Sequence, residues 1–206
     1  MKLLYSFTFI VLSTLTAYSS SEVNYKGVNY SFLDYTSTHF DKELSPIKEI
    51  EDGNYFLLHW LNWSEEVTGS VVLFSIKNHK MEGESYQFDQ LRGADVLQVM
   101  CRNGIADFSL DSIPLSYELF YKNGVFEGNQ IRHSSQGWYR EECTYLKGKK
   151  NGSARMYYPT GALYYEVNYK DDMLVNGDIK LYHPNKQLMA EGSYRGTELW
   201  GDWIFY

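Results

Sequence analysis

The pattern Glu-x-x-Tyr recurs along the C-terminal half of this chain at almost constant intervals, and so short a period leaves few folds open. The copies are Glu118/Tyr121, Glu142/Tyr145, Glu166/Tyr169 and Glu191/Tyr194, separated by 24, 24 and 25 residues. A glycine follows each copy, at Gly128, Gly152, Gly177 and Gly201, in steps of 24, 25 and 24. Five residues after each of the last three glycines stands a tyrosine: Tyr157, Tyr182 and Tyr206. Pro159 and Pro184 keep the step of 25. A period of roughly 20–50 residues marks architectures in which each unit is one supersecondary element that cannot bury its apolar face alone, so that neighbours must stack.

Each unit divides into two strands. In the stretch from Ala162 to Lys170, Leu163, Tyr165, Val167 and Tyr169 alternate with Glu166, Asn168 and Lys170. That is the period-2 pattern of a strand with one buried face. Leu115, Tyr117, Leu119 and Tyr121 hold the same register two units earlier, and Tyr139, Cys143 and Tyr145 hold it in the unit between. The second strand is shorter. It reads Asp178-Ile179-Lys180-Leu181-Tyr182, with Ile179 and Leu181 inward, and its counterparts are Ser153 to Tyr157 and Asp202 to Tyr206. Asn151-Gly152 and Asn176-Gly177 on one side, and Pro159-Thr160-Gly161 and Pro184-Asn185-Lys186 on the other, are expected to make the turns, since Gly and Asn accept positive φ and Pro pre-sets φ. An aromatic content of 17%, suited to a pleated, half-buried surface, supports the same reading.

Upstream the pattern decays. Gly104 precedes Gly128 by 24, and Gly69 and Gly83 each precede a phenylalanine, Phe74 and Phe88, by five. The repeats are therefore expected over 69–206, with degenerate units before Ser116. Residues 20–68 show no repeat, but Tyr55-Phe56-Leu57-Leu58-His59-Trp60 after Asp52-Gly53 reads as a buried strand. This segment is expected to be a β-rich N-terminal cap that hides an open sheet edge. The fold class expected for the whole is all-β, an extended antiparallel array of β-hairpin repeats.

The first residues carry a different signal. Lys2 is followed by an uncharged apolar run from Leu3 to Ala17, and Ala17-Tyr18-Ser19 places small residues where a signal peptidase reads them. Residues 1–19 are thus expected to be a signal peptide, and the mature protein to be exported, periplasmic or extracellular. Cys101 and Cys143 are too far apart for a CxxC motif. An oxidising compartment permits a disulfide between them without requiring one.

With these residues in view, the C-terminal part resembles the variant MORN (membrane occupation and recognition nexus) repeat, in the form found in YwqK-type bacterial proteins. The resemblance is carried by Gly161-Ala-Leu-Tyr-Tyr-Glu-Val-Asn-Tyr-Lys-Asp-Asp, by Asn176-Gly177-Asp-Ile-Lys-Leu-Tyr182 and by Trp200-Gly201-Asp-Trp-Ile-Phe-Tyr206. It covers about residues 115–206, with a weak extension to 69. It implies a hairpin array used for interaction and brings no catalytic residues with it. Some members are described as antitoxin components acting in the cytosol, a role against which the apparent signal peptide stands.

The chemistry-bearing residues fit this picture. His39, His59, His79, His133 and His183 form no pair at metal-ligand spacing, and neither HExxH nor GxSxG occurs. His183 takes the place of Tyr158 one unit on and reads as a strand-end residue. Cys143, in the register of Leu119, Val167 and Gly192, reads as a core cysteine. Glu118, Glu142, Glu166 and Glu191 suggest paired catalytic carboxylates, but a catalytic pair needs two different environments, and a glutamate repeated in every unit has a structural role. No enzyme activity, cofactor or metal is expected. A net charge of −7 speaks against a nucleic-acid partner, which needs a basic footprint. Tyr157, Tyr182 and Tyr206 share a face with Arg155, Lys180 and Asp178 and should be partly exposed. They are either a cross-strand ladder that stabilises the sheet or a stripe that contacts a partner. The function expected is an interaction or scaffold module of the cell envelope or extracellular space, its partner a protein or a cell surface, with membrane contact unsupported beyond the signal peptide. The alternatives are an antitoxin-like or immunity protein and a secreted hydrolase with its site in residues 20–68.

Overall fold

The computed structural model describes residues 22–33, 50–63, 66–92, 110, 113–134 and 137–206, and of 32, 58–63, 66–69 and 90–92 only the backbone. The expected signal peptide and Cys101 lie outside the described residues. The protein is all-β: no α-helix occurs among the described residues. The chain divides into two compact units, Met1–Leu115 and Ser116–Tyr206. The division falls where the clear 24-residue period begins.

The first unit contains β1 (Glu22–Tyr25), β2 (Val28–Phe32), β3 (Gly53–Trp63), β4 (Glu66–Lys77), the short β5 (Lys80–Met81) and β6 (Gly83–Arg92). The order is β1-β2-β3-β4-β6, with β5 on β4. Every pairing is antiparallel except the short parallel contact of β2 with β3 at Ser31↔Tyr55 and Phe32↔Phe56. Phe56, Val71, Leu73, Tyr86 and Phe88 line one sheet face and form a buried cluster with Val23, Tyr30, Leu110 and Ile113. Leu57, Val72, Phe74 and Ile76 on the opposite face are buried as well. The strand expected at Tyr55–Trp60 lies within β3, and its described hydrophobes Phe56 and Leu57 are buried.

The second unit contains β7 (Leu115–Lys122), β8 (Val125–Phe126), β9 (Gly128–His133), β10 (Arg140–Leu146), β11 (Lys149–Tyr157), β12 (Leu163–Lys170), β13 (Met173–Leu174), β14 (Gly177–Tyr182), β15 (Leu188–Arg195) and β16 (Glu198–Phe205). One sheet runs β7-β9-β10-β11-β12-β13, with β8 on β7, and a separate three-stranded sheet runs β14-β15-β16. The alternation holds in β12: Val167 is buried while its neighbours Glu166 and Asn168 are exposed.

The turns are not all where the sequence put them. Asn151-Gly152 lies inside β11, and Asn176-Gly177 leads straight into β14. In the second unit the tight hairpin turns lie at Asn123-Gly124, Lys147-Gly148, Asp171-Asp172 and Gly196-Thr197, four positions separated by 24, 24 and 25 residues. In the first three, both residues have positive φ, between 50° and 85°. Two successive positive φ values give the turn twist that suits a two-residue hairpin. The repeat glycines have another task. Gly128 pairs with Tyr145, Gly152 with Tyr169 and Gly177 with Tyr194. Gly128, Gly152 and Gly201 have φ of 70°, 108° and 70°, and the pairing shifts register near Gly152 and Gly201. A glycine at positive φ inside a strand makes a bulge that bends it, and the tyrosine opposite covers the bare backbone. The two strongest sequence signals, Gly and Tyr, are thus cross-strand partners. The loops at Pro159-Thr160-Gly161 and Pro184-Asn185-Lys186 are turns as expected, closed by Gly161 N–H to Tyr158 O (2.9 Å) and Lys186 N–H to His183 O (2.8 Å).

Candidate partner-binding face

Residues paired across an antiparallel sheet share a face, so the registers define two faces in the second unit. One carries the row Gln130-Cys143-Ala154-Val167, in which Gln130 and Val167 are buried. The Gln130 amide satisfies the backbone around the bulge: its oxygen accepts from Phe120 N–H (2.8 Å), and its nitrogen donates to Phe120 O (3.1 Å) and Glu127 O (2.9 Å). Cys143 is half-buried, and burial pushes its thiol up, consistent with a packing role. At the matching place on β15, a Cβ on Gly192 would meet the Trp203 ring at 2.4 Å, so only glycine lets that indole lie across the strand.

The other face carries the charged row Glu118-Ile131-Glu142-Arg155-Glu166 across β7 to β12, and Lys180-Glu191-Ile204 across β14 to β16. Each glutamate is engaged. Glu118 faces His133 Nε2 at 2.9 Å, and Glu142 holds Arg140 at 2.8 Å. Glu166 holds Arg155 at 2.8 Å, and Glu191 lies 3.6 Å from Lys180. The hydrogen bond to Glu166 raises the Arg155 pKa further. These pairs are partly exposed, where an ion pair is worth about 0–1 kcal/mol, so they set the local geometry of the face more than its stability.

The three candidate tyrosines lie in this setting. Tyr157 and Tyr182 are half-buried and Tyr206 is exposed. The Tyr157 hydroxyl donates to Glu142 Oε2 (3.3 Å), and the Arg140 guanidinium sits over its ring at 4.7 Å. The Tyr206 hydroxyl donates to Glu191 Oε1 (2.7 Å), and that bond raises the phenol pKa. Tyr182 differs: its backbone oxygen accepts from the Tyr158 hydroxyl (2.9 Å), and no side-chain partner of its own hydroxyl occurs among the described residues. The three rings do not stack on one another; the ring pairs nearby are Tyr158–Tyr164 and Tyr164–Tyr165. Sequence reasoning missed a fourth member, His133. Five residues after Gly128, it makes the same bond to Glu118, fifteen residues back, that Tyr157 makes to Glu142 and Tyr206 to Glu191. The spacing from Gly128 was the available signal. His183 does end a strand, following β14 with its N–H donated to Gln187 O at 2.8 Å.

Among the described residues, no group of three or more His, Cys, Asp or Glu side chains is placed to hold a metal ion. Compared with known proteins, the chain matches no protein-family model and no curated protein.

Proposed function

We propose that this chain is an exported, non-enzymatic interaction or scaffold module, an array of MORN-like hairpin repeats that binds a protein or surface partner through its glutamate–tyrosine face. The observation that carries the reading is the recurrence of one bond: Glu118–His133, Glu142–Tyr157 and Glu191–Tyr206 join the same two positions of three hairpins. A surface that presents one aromatic and charged group set at regular intervals suits an extended or repetitive partner. Tyrosine suits it too, offering large amphipathic area at low entropic cost. Tyr182 is the strongest contact candidate, because its hydroxyl is not already used. Export rests on residues 1–19 and the resemblance on residues 115–206.

The test is capture of partners from envelope fractions by the full chain and by a Tyr157→Ser/Tyr182→Ser/Tyr206→Ser variant. Loss of the specifically retained partner, with the melting profile kept, is the expected result, since a few aromatics carry most of an interface. Retention at unchanged affinity overturns the tyrosine face. A second reading would then stand, addition of a partner strand to β16. That strand pairs only with β15 among the described residues and exposes Leu199, Trp200, Ile204 and Phe205.

A further inference from the structure

One hairpin of the second unit departs from its neighbours. Its first strand is β12, and its return is β13 followed by β14. In the other three hairpins the glutamate lies opposite a residue of the returning strand: Glu118↔Ile131, Glu142↔Arg155 and Glu191↔Ile204. The corresponding rung, Glu166 with Lys180, is absent. β12 pairs with β13 at Tyr169↔Leu174 and Lys170↔Met173, and β14 opens the separate sheet. Yet β12 and β14 run side by side, with Cα atoms approaching within 8 Å.

The cause is legible in the chain. In the hairpin of β7, one residue, Glu127, links β8 to Gly128 and does two jobs. Its N–H donates to Phe120 O (3.0 Å), and its carboxylate accepts from Lys147 N–H (2.8 Å). In the departing hairpin these jobs fall to two residues. Val175 N–H donates to Asn168 O (2.8 Å), and Asn176 Oδ1 accepts from Gly196 N–H (2.8 Å). This is the extra residue of the 25-residue step. Gly177 lacks the positive φ of Gly128, Gly152 and Gly201, so the bulge that returns the strand to register does not form. The seam between β12 and β14 is held at its two ends, by Val175 N–H to Asn168 O, beside which the Asn168 N–H faces the Tyr194 phenol, and by the Tyr158 hydroxyl to Tyr182 O (2.9 Å). Between them, no ladder pairs β12 with β14 among the described residues, although backbone groups bond readily when strands come into register.

We propose that this seam is a closable joint, at which the β14–β16 leaf zips onto β12 and releases from it. Closure sets Glu166 opposite Lys180 and brings it within reach of Tyr182, the arrangement that the other hairpins already hold. The joint does not depend on the nature of any partner. It does change the candidate face, because the Tyr182 hydroxyl is free when the seam is open and engaged when it is closed.

Amide hydrogen exchange on the full chain tests it. Seam-side amides of β12 and β14 other than Asn168 are expected to exchange about tenfold or more faster than their counterparts in β7, β9, β10 and β11, and deletion of Val175 is expected to slow them to that level. Seam amides as protected in the native chain as their counterparts, or still fast in a folded Val175 deletion, overturn the proposal. A Glu166→Cys/Lys180→Cys variant, with Cys101 and Cys143 replaced by Ser, keeps the test decisive if the deletion does not fold. Closure brings the two Cα atoms to the roughly 5.5–6 Å that a disulfide needs. Mild oxidation therefore cross-links the pair in a closing joint, and failure to cross-link a folded chain overturns it.

Discussion

The two units use the same strands to different ends. In the first, four successive residues of β4, Val71 to Phe74, are all buried, so both sheet faces are covered. In the second, buried residues never come two in a row among the described residues; they stand singly, at Ser116, Gln130, Ala162, Val167, Ala190 and Tyr194. A strand covered on both faces draws its stability from close packing. A strand with one stripe half-covered relies more on its ladder, its turns and its cross-strand pairs. The second unit accordingly carries the recurring Gly–Tyr pairs and glutamate bonds, and its sequence is periodic because those pairs repeat. The first unit has no comparable need, and along it the spacing of glycines and aromatics is irregular.

The widest contrast between the units is reached by truncating a leucine in each. Leu73→Ala empties a fully buried site and is expected to cost about 3–4 kcal/mol, the lost transfer energy plus a cavity. Leu181→Ala removes a half-buried side chain from β14 and should cost about 1–2 kcal/mol. Calorimetric scans of the two variants measure both. Equal losses would mean that the second unit is as closely packed as the first, and the comparison would fail.

A polar substitution sharpens the contrast within the second unit. Val167→Asp introduces a charge on the buried stripe of β12, opposite Ala154, and is expected to cost about 3 kcal/mol. Asn168→Asp, one residue on and exposed, should stay within about 0.5 kcal/mol. Comparable shifts in the two melting temperatures would show that the single stripe is not what holds this sheet.

How much of this could be read in the chain follows from the same contrast. Val167 in and Asn168 out and the all-β class were legible, because one-sided burial writes itself as alternation. The two covered faces of β4 were not. A continuous run such as Val71-Val72-Leu73-Phe74 shows that a strand is buried without showing what covers it. The turns were misplaced for a definite reason. Asn151-Gly152 has the composition of a tight turn, yet Gly152 serves a bulge inside β11 opposite Tyr169, whereas Asp171-Asp172 makes a turn without any glycine. Composition reports that positive φ is tolerated, and both sites use it. Of the candidate face, the three tyrosines were found from their spacing. His133 was overlooked because its residue type differs, although its position does not. The bonds to glutamate were out of reach, since they depend on which strands lie in register.

The smallest effect separates the closed hairpins from the open one. Tyr157 donates to Glu142 within its hairpin, while Tyr182, at the same repeat position, has the seam between itself and Glu166. A double-mutant cycle isolates such a pair from the other contacts that each residue makes. That matters here because Glu142 also holds Arg140 and Glu166 also holds Arg155. For Tyr157→Phe with Glu142→Gln, the coupling is expected to be about 0.5 kcal/mol, the low end for a partly exposed bond of 3.3 Å. For Tyr182→Phe with Glu166→Gln it should be indistinguishable from zero in denaturant titrations of the native chain. It should rise to the Tyr157 value once Val175 is deleted, because the closed seam gives Tyr182 the partner that its counterparts have. Equal coupling in the two native pairs would place Glu166 and Tyr182 in contact already, and the four hairpins would then be alike.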